Sequence, residues 1–246
     1  MKDLFSKQST QYAIFRPRYP EVMYHHLYQL VTNFETAWDC GTGNGQVAAA
    51  LAEKFQQVYA TDISPKQLEH AIQKENIVYE KAAAEQTIFP DNLFDLVTVA
   101  QAIHWFKFDE FYTEIKRVLK PTGLIAVIGY GLIRINDTLN ALIDDFYKNK
   151  VGPFWDKERK YIDDAYKTIP FPFVELPSPK LSIQYDWGLE QFTGYLSTWS
   201  AVQNYIDTNG TSPLDTAFMS ALHKAWPHHS IQAVEFPLYM RIGKLN

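Results

Sequence analysis

Five short runs that favour β-strands alternate with amphipathic helical patterns between residues 36 and 131, and this alternation constrains the fold more than any other feature. The runs are TAWDC, QVYATD, NIVYEKA, FDLVTVA and GLIAVIGYG, and the helical patterns cover Val47–Phe55, Pro65–Lys74 and Phe108–Leu119. Strands and helices that alternate at this spacing form βαβ units, so that helices cover both faces of a parallel sheet. The nearly apolar run FDLVTVA is typical of a strand buried on both faces. The sequence therefore predicts an α/β fold.

The rest of the chain is predicted to surround this core within a single domain, 1–246. Residues 1–35 form a helical lead-in, and the core extends over 36–135. Asn136 or Asp137 caps a helix that reaches residue 149. After that, the composition shifts to a proline-rich segment, 171–187, followed by helices at 189–207 and 213–225 and a terminal strand at 231–243. We expect 1–35 to act as a lid and 150–230 to be an insertion that caps a substrate site.

Charge and composition exclude several function classes. The net charge is −5 and there is no dense stripe of Lys or Arg, which argues against a nucleic-acid partner. A single cysteine excludes an intrachain disulfide. The sequence opens without an apolar signal-peptide core, and its longest apolar run is too short and glycine-broken to span a bilayer. These features predict a cytoplasmic protein with a small-molecule substrate; they leave its oligomeric state open.

A glycine-rich loop follows the first strand of the core, in the segment AWDCGTGNGQ. Gly41, Gly43 and Gly45 stand at alternate positions, and a helix begins immediately after them. Glycines allow a backbone to approach a ligand closely, and a helix N-terminus attracts an anionic group. The dinucleotide fingerprint requires a glycine where this chain has Gln46, and the Gly-Lys-Ser/Thr of a P-loop is absent. Pyrophosphate is therefore not the favoured ligand, although an ordinary strand-to-helix turn is an alternative.

An acid ends the next strand of the core. Asp62 closes the run VYATD, 23 positions after Asp39. A carboxylate at this position can accept hydrogen bonds from both hydroxyl groups of a ribose. Pro65 follows closely, so a turn or helix-capping role is the alternative. The strand-end position favours the ribose.

The order and spacing of several segments resemble the motif series of class I S-adenosylmethionine-dependent methyltransferases. These segments are WDCGTGNGQ, VYATDIS, AAAE, FDLVTVAQAIHWF and RVLKPTG. The segments YAIFRPRYP and DWGLEQFTGYLSTWSAVQNY are similar to the trans-aconitate-methyltransferase-like branch, also called methyltransferase type 11. The resemblance implies a Rossmann-like sheet of seven mostly parallel strands, with the last strand antiparallel and helices on both faces. It also implies that S-adenosylmethionine is the cofactor and S-adenosylhomocysteine the product.

The resemblance assigns cofactor contacts residue by residue. The loop would cradle the methionine part of the cofactor, Asp62 would bind the ribose, and Ile63 would pack on the adenine. Ala84 and Glu85 would lie at the adenine edge, where many relatives carry an acid one place before the alanine. Ala83 occupies that position here, so the contact is absent or comes from Glu85. The complete implied set is Asp39, Gly41, Thr42, Gly43, Gly45, Asp62, Ile63, Ala84, Glu85, Ala100 and Gln101.

The expected reaction is an in-line displacement at a methyl carbon that the cofactor already activates, so the protein supplies alignment and a dry pocket. A carboxylate acceptor would need no general base. His104 follows the fourth strand and is a candidate base or substrate hydrogen-bond partner, or else a loop histidine that holds backbone. Trp105 is expected in the pocket wall.

Aromatic residues and an arginine are expected to cover the site. Arg16 can pair with a carboxylate of cofactor or substrate. Phe192, Tyr195 and Trp199 form a helical stripe, a pattern more typical of a core, although part of it is expected to roof the substrate pocket. The candidate lid and substrate residues are Tyr12, Phe15, Arg16, Tyr19, Trp105, Trp155, Tyr195 and Trp199.

Two other function classes are open at this point. A nicotinamide-dependent oxidoreductase is disfavoured by Gln46 and by the lack of a recognisable proton relay. A non-catalytic cofactor-binding protein on the same fold is not excluded. A metal site is not expected, because the adjacent histidine pairs in the sequence point in different directions on a helix and no zinc spacing occurs.

Overall fold

The computed structural model describes residues 15–227 and 230–245. Tyr12, one of the expected lid residues, lies outside the described residues. The helices are α1 Glu21–Leu30, α2 Gln46–Leu51, α3 Pro65–Glu69, α4 Phe108–Val118, α5 Asp137–Asp145, α6 Arg159–Asp163, α7 Leu189–Ser197, α8 Ser200–Asn209 and α9 Thr216–Ala225. The strands are β1 Thr36–Cys40, β2 Gln57–Asp62, β3 Ile77–Lys81, β4 Phe94–Ala100, β5 Leu119–Tyr130, β6 Val174–Leu176, β7 Leu181–Trp187 and β8 Gln232–Lys244.

The strands of the described chain form one mixed sheet in the order β3-β2-β1-β4-β5-β8, with β6 and β7 beyond β8. The pairs from β3 to β5 are parallel, and β8 runs antiparallel to β5. The chain passes outward from β1 to β3 and then returns to β4 on the other side of β1. The carboxyl ends of β1 and β4 therefore flank the point where strand order reverses, which is where open α/β sheets bind ligands. The predicted mostly parallel sheet with an antiparallel last strand is confirmed.

The strand count differs from the expected seven because two short strands share the last position of the sheet. Val174–Leu176 pairs with the C-terminal end of β8, and Leu181–Trp187 pairs with its N-terminal half. A bridge from Arg134 to Glu235 occupies the opposite edge of β8, so β6 and β7 lie on the same edge. Prolines at positions 177 and 179 separate the two segments. The eight strands of the described chain thus fill seven positions.

Helices cover both faces of the sheet, as predicted. On β5, Leu124, Ala126 and Ile128 enter one buried cluster, whereas Ile125 and Val127 enter another. This alternation follows from the two-residue period of a strand. The first cluster includes α1, α2, α5 and α7, and the second includes α4. The sheet therefore has an apolar core on each face.

Two helix boundaries differ from the sequence prediction. The single helix expected over 189–207 is two helices, α7 and α8, because Trp199 has extended backbone angles and interrupts the helix. The helix expected to reach residue 149 is α-helical to Asp145 and continues as a π-helical turn over Phe146–Lys150. Asn136 caps it as predicted, with its side chain accepting a hydrogen bond from the Leu139 N–H at 3.1 Å.

Candidate functional site

A pocket with ≈ 1050 Å³ of empty space opens at the carboxyl ends of β1, β2 and β4. We call it the first pocket. Asp39, Asp62 and Ala100 bring one strand end each to its wall, which is the position that the strand order favours for a ligand. The predicted site residues in its lining are Arg16, Tyr19, Asp39, Gly41, Thr42, Gly43, Asp62, Ile63, Ala84, Ala100, Gln101 and Trp105.

Two glycines of the loop after β1, Gly43 and Gly45, have different surroundings. Gly43 has a φ of 56°, and a Cβ there would have only Gln67 Oε1 near it, at 4.0 Å, so the position opens into the first pocket. Gly45 has a φ of 78° and caps α2, and a Cβ there would overlap the phenolic oxygen of Tyr79. Gly45 is absent from the pocket lining. Glycine at 43 leaves room for a ligand, whereas glycine at 45 allows packing.

Asp39 fixes the glycine-rich loop through hydrogen bonds of its buried carboxylate. Its Oδ2 accepts hydrogen bonds from Thr42 Oγ1 at 2.6 Å and from the Ala48 N–H at 3.1 Å, and its Oδ1 accepts from Thr98 Oγ1 at 2.8 Å. Burial raises the pKa of Asp39 to about 6; the three hydrogen bonds oppose this rise, and the negative charge of Asp62 adds to it. The carboxylate therefore ties β1, the loop and α2 together at the base of the first pocket.

Asp62 joins the same loop to the end of β2. Its Oδ2 accepts a hydrogen bond from the Gly43 N–H at 2.9 Å, and its Oδ1 accepts one from the Ser64 N–H at 2.9 Å. The side chain is half-buried and lines the first pocket. A carboxylate accepts several hydrogen bonds at once, and ligand hydroxyls are donors of the matching kind.

The wall beside β3 is formed by small and apolar side chains. Ile63, Ala82 and Ala84 line the first pocket. Glu85 does not line it, because its Oε1 accepts a hydrogen bond from the Lys107 N–H at 3.0 Å at the start of α4. The structure thus gives Glu85 a role in holding α4.

The first turn of α2 presents backbone donors to the same space. Gln46 and Val47 both line the first pocket, and N–H groups in the first turn of a helix have no partner within the helix. They can therefore donate to an anionic group such as a ligand carboxylate.

Gln101, directly after β4, has a strained backbone. Its φ is 53°, a left-handed value that is uncommon for residues other than glycine. The Gln101 N–H donates to the Ile128 carbonyl at 2.9 Å, and its Nε2 donates to the Tyr130 carbonyl at 3.0 Å. These bonds hold its side chain in the wall of the first pocket. Backbone strain of this kind clusters at functional sites.

The segment before α1 contributes Arg16, Pro17 and Tyr19 to the lining of the first pocket. Arg16 Nη2 donates to the Thr198 carbonyl at 2.9 Å, and Nη1 donates to Tyr130 Oη at 3.3 Å. The rings of Tyr19 and Tyr130 lie 6.2 Å apart. Phe15 packs against the apolar core beside α7 and does not line the pocket. The segment is thereby fixed both to the sheet and to the α7–α8 junction.

A second pocket, with ≈ 500 Å³ of empty space, adjoins the first. Arg16, Gln101 and Trp105 line both pockets and mark the boundary between them. The residues that line only the second pocket are His104, Trp155, Asp156, Arg159, Ile162 and Ser200. The structure thus brings two predicted residues, His104 and Trp155, next to the first pocket.

His104 is almost completely buried and has a low basicity. Its Nδ1 lies 3.1 Å from Tyr166 Oη, and its ring contacts those of Trp105 and Tyr166. Burial lowers the pKa of His104 to about 3, and the positive charge of Arg159 contributes. The imidazole is therefore neutral near pH 7 and accepts a proton poorly.

The aromatic stripe of α7 lies under the site. Tyr195 and Trp199 are buried and line neither pocket. Their rings pack against each other, and the Tyr195 ring also packs against that of Phe236 in the core. Tyr195 also lies beneath the Arg16 guanidinium, whose Cζ is 5.6 Å from the ring centroid. Tyr195 thus contacts the segment before α1 through Arg16.

The sequence reasoning missed several lining residues. Phe106 and Tyr130 lie near the ends of β4 and β5, so a strand-end rule could have found them. Asp156, Arg159, Ile162 and Ser200 come from a segment with no recognisable motif, and only the tertiary fold reveals them.

Within residues 15–227 and 230–245, no helix has the length and apolar character needed to cross a bilayer. The same residues contain no group of three or more His, Cys, Asp or Glu that is arranged to hold a metal ion.

Comparison with known proteins agrees with this geometry. The family model described as a methyltransferase domain matches residues 38–127. A methyltransferase of Dictyostelium discoideum is 32% identical over 98% of this chain and 95% of its own length. Methyltransferase cfoB of Aspergillus candidus is 28% identical over 78% of this chain and 68% of its own length. The solved structure of a type II methyltransferase from Anaeromyxobacter dehalogenans is 37% identical, covers 94% of this chain and 98% of its own, and superposes with a TM-score of 0.86. The chain therefore belongs to the class I S-adenosylmethionine-dependent methyltransferases, and S-adenosylmethionine is its cofactor.

Proposed function

We propose that this methyltransferase alkylates a carboxylate of a small-molecule acceptor, by in-line displacement at the methyl group of the cofactor. The cofactor supplies an activated methyl group. The protein positions the acceptor, aligns it and excludes water. One observation carries the carboxylate assignment: the candidate base, His104, is buried against Tyr166 and Trp105, and this burial lowers its pKa and makes it a poor base.

The cofactor would bind in the first pocket. The space beyond Gly43 and the donors at the start of α2 suit the methionine part, whose carboxylate is anionic. Asp62 would accept from the ribose hydroxyls, and Ile63 and Ala84 would contact the adenine. In this proposal Asp39, Thr42 and Gly45 shape the loop, Ala100 and Gln101 flank the reacting methyl group, and Glu85 holds α4 in place.

The acceptor would bind in the second pocket. Gln101 and Trp105 line both pockets, so an acceptor there can reach a methyl group held at their boundary. A phenol or an ammonium group must lose a proton before it attacks, whereas a carboxylate is already ionised near pH 7. His104 then serves as a hydrogen-bond partner in the wall.

The same proposal assigns a role to each of three segments of the chain. Residues 1–35 would act as the lid, 36–135 as the cofactor-binding core and 150–230 as the substrate cap. The bonds from Arg16 to Thr198 and Tyr130 support it, because they connect lid, cap and core around the pocket boundary.

The experiment is a release assay for S-adenosylhomocysteine across a panel of carboxylic acids, phenols and amines, followed by base treatment of the products. We expect turnover with a carboxylic acid and a product that releases methanol in base, as a methyl ester does. A product whose methyl group survives base would overturn the carboxylate assignment but leave methyl transfer intact.

A further inference from the structure

Arg159 lies in the wall of the second pocket and is separate from every contact discussed for the cofactor. Its side chain is 20% exposed, at the start of α6. It lines the second pocket and does not line the first. No sequence motif surrounds it, so only the fold brings it to this position.

One edge of the Arg159 guanidinium is fixed by the protein. Its Nε donates to Tyr147 Oη at 2.8 Å and lies 3.4 Å from Asp163 Oδ1. Its Cζ lies 4.6 Å from the centroid of the Trp155 ring. The stacked ring and the bonds at Nε hold the plane of the group, which reduces the entropy lost when it binds a ligand.

The other edge of the guanidinium is available. Within residues 15–227 and 230–245, the two terminal nitrogens of Arg159 have no hydrogen-bond partner from the protein, and neither is sealed from solvent. A planar pair of donors of this kind matches the two oxygens of a carboxylate or phosphate.

The charges around the second pocket favour an anion. Arg16 and Arg159 are cationic, Asp156 is the acid of the lining, and His104 is neutral near pH 7. The lining therefore carries a net charge of +1, and Asp163, which pairs with Arg159 Nε, lies outside it. Trp105, Trp155 and Ile162 contribute apolar side chains to the same lining.

We propose that Arg159 binds a second anionic group of the acceptor, a carboxylate or a phosphate that is not methylated. This inference rests on the proposed function in one respect, that the second pocket holds the acceptor. The bound group is the non-reacting one because Arg159 does not line the first pocket. A carboxylate whose two oxygens each accept a charge-assisted hydrogen bond is also a weaker nucleophile. The acceptor is thus a small molecule with a nucleophile at one end, an anion at the other and an apolar segment between them.

The test measures anion binding, so it does not depend on methyl transfer. Glutarate, inorganic phosphate and the neutral glutaramide are titrated into protein saturated with S-adenosylhomocysteine, with tryptophan fluorescence and calorimetry as readouts. Trp155 stacks on Arg159 and reports occupancy. We expect at least one anion to bind and glutaramide to bind much more weakly; the comparison of glutarate with phosphate identifies the anion.

Four variants test whether anion binding depends on Arg159. Arg159→Gln should weaken anion binding about tenfold or more, and Arg159→Lys should weaken it less. Asp156→Asn should tighten binding because it removes an opposing charge from the same wall. Arg134→Gln removes an exposed arginine paired with Asp144 and should change nothing. Affinity for S-adenosylhomocysteine should be unchanged throughout.

Equal anion affinity in the wild type and Arg159→Gln overturns the proposal, as does a wild-type protein that binds neither anion. If Arg159→Gln does not fold, Arg159→Lys and Asp156→Asn decide, because opposite shifts are required of them. Anion binding that depends on Arg159 in a protein with no carboxylate methylation would leave this inference standing and refute only the proposed function.

Discussion

Two aspartates at neighbouring strand ends show how similar residues acquire different functions. Asp39 is buried and accepts three hydrogen bonds from its own chain. Asp62 is half-buried, accepts hydrogen bonds from the Gly43 and Ser64 N–H groups and faces the first pocket. Both strand ends were predictable from the apolar runs that precede them. Their difference in exposure was not, because it depends on Thr98 of β4, which is distant in sequence.

Replacement of Asp62 by alanine tests the ribose assignment. The loss of charge-assisted hydrogen bonds to two hydroxyls should weaken S-adenosylhomocysteine binding by about 1–3 kcal/mol. Calorimetry measures the change, with Asp186→Ala on the exposed face of β7 as the matched control. Unchanged affinity in Asp62→Ala would remove this residue from the cofactor site.

His104 should make the protein sensitive to acid. Its folded pKa is about 3 against an ordinary value of 6.5, so between these values the unfolded chain binds a proton that the folded chain does not. Stability therefore falls as pH drops below 6.5, by about 2 kcal/mol at pH 5. His104→Gln should lose less stability than the wild type between pH 7.5 and 5. Asp39 acts in the opposite direction but is present in both proteins, so the difference isolates His104.

Denaturant melts at several pH values measure this difference, with His25→Gln, an exposed histidine of α1, as the control. Parallel pH curves for His104→Gln and the wild type would mean that the pKa of the His104 imidazole is the same in the folded and unfolded chains. A catalytic base role would then become tenable again.

At the scale of elements, the strands were more predictable than the helix ends. Long apolar runs such as FDLVTVA identify buried strands without any tertiary information. The break between α7 and α8 was not predictable, because local propensity favours a continuous helix. It depends on Thr198, whose hydroxyl donates to the Tyr195 carbonyl at 2.6 Å and whose own carbonyl accepts from Arg16. The residue that ends α7, Thr198, is thus also the residue that accepts a hydrogen bond from Arg16.

The contact between α7 and the lid segment can be tested by Gly194→Ala. A Cβ at this position would overlap the Phe15 ring, while alanine in a helix is itself favourable by about 1 kcal/mol. The helix should therefore be retained and the lid displaced. We expect S-adenosylhomocysteine to dissociate about tenfold faster, measured by stopped-flow fluorescence.

Gly152→Ala is the matched control, since its Cβ would be 3.5 Å from the nearest atom, the Tyr147 carbonyl oxygen. If Gly194→Ala and Gly152→Ala release the ligand at the wild-type rate, the segment around Phe15 does not act as a lid.

For the whole molecule, the second half of the chain completes the sheet and also contributes residues to the lining of the second pocket. The segment expected to be a cap, 150–230, contributes β6 and β7, which pair with β8. Pro237 lies within β8, an internal strand, although proline in a sheet is usually confined to edge strands or bulges. Proline has no N–H to donate to a neighbouring strand. Because β5 ends at Tyr130, opposite Leu238, no residue of β5 lies opposite Pro237 and loses a hydrogen bond. The sequence showed strand-like alternation here, but strand order depends on contacts between distant segments.

The first pocket is lined both by strand ends of the sheet and by the segment before α1. A ligand bound there should therefore stabilise the entire fold. A ligand at 100 times its dissociation constant adds about 2.7 kcal/mol, which for a chain of this length raises Tm by about 5–10 °C. We expect S-adenosylhomocysteine to produce this shift in differential scanning calorimetry and NADH to produce none. Gly43→Val should abolish it, because a branched side chain would enter the first pocket at a left-handed φ, whereas Gly152→Ala should retain it. A normal shift in Gly43→Val would mean that the cofactor does not approach this loop.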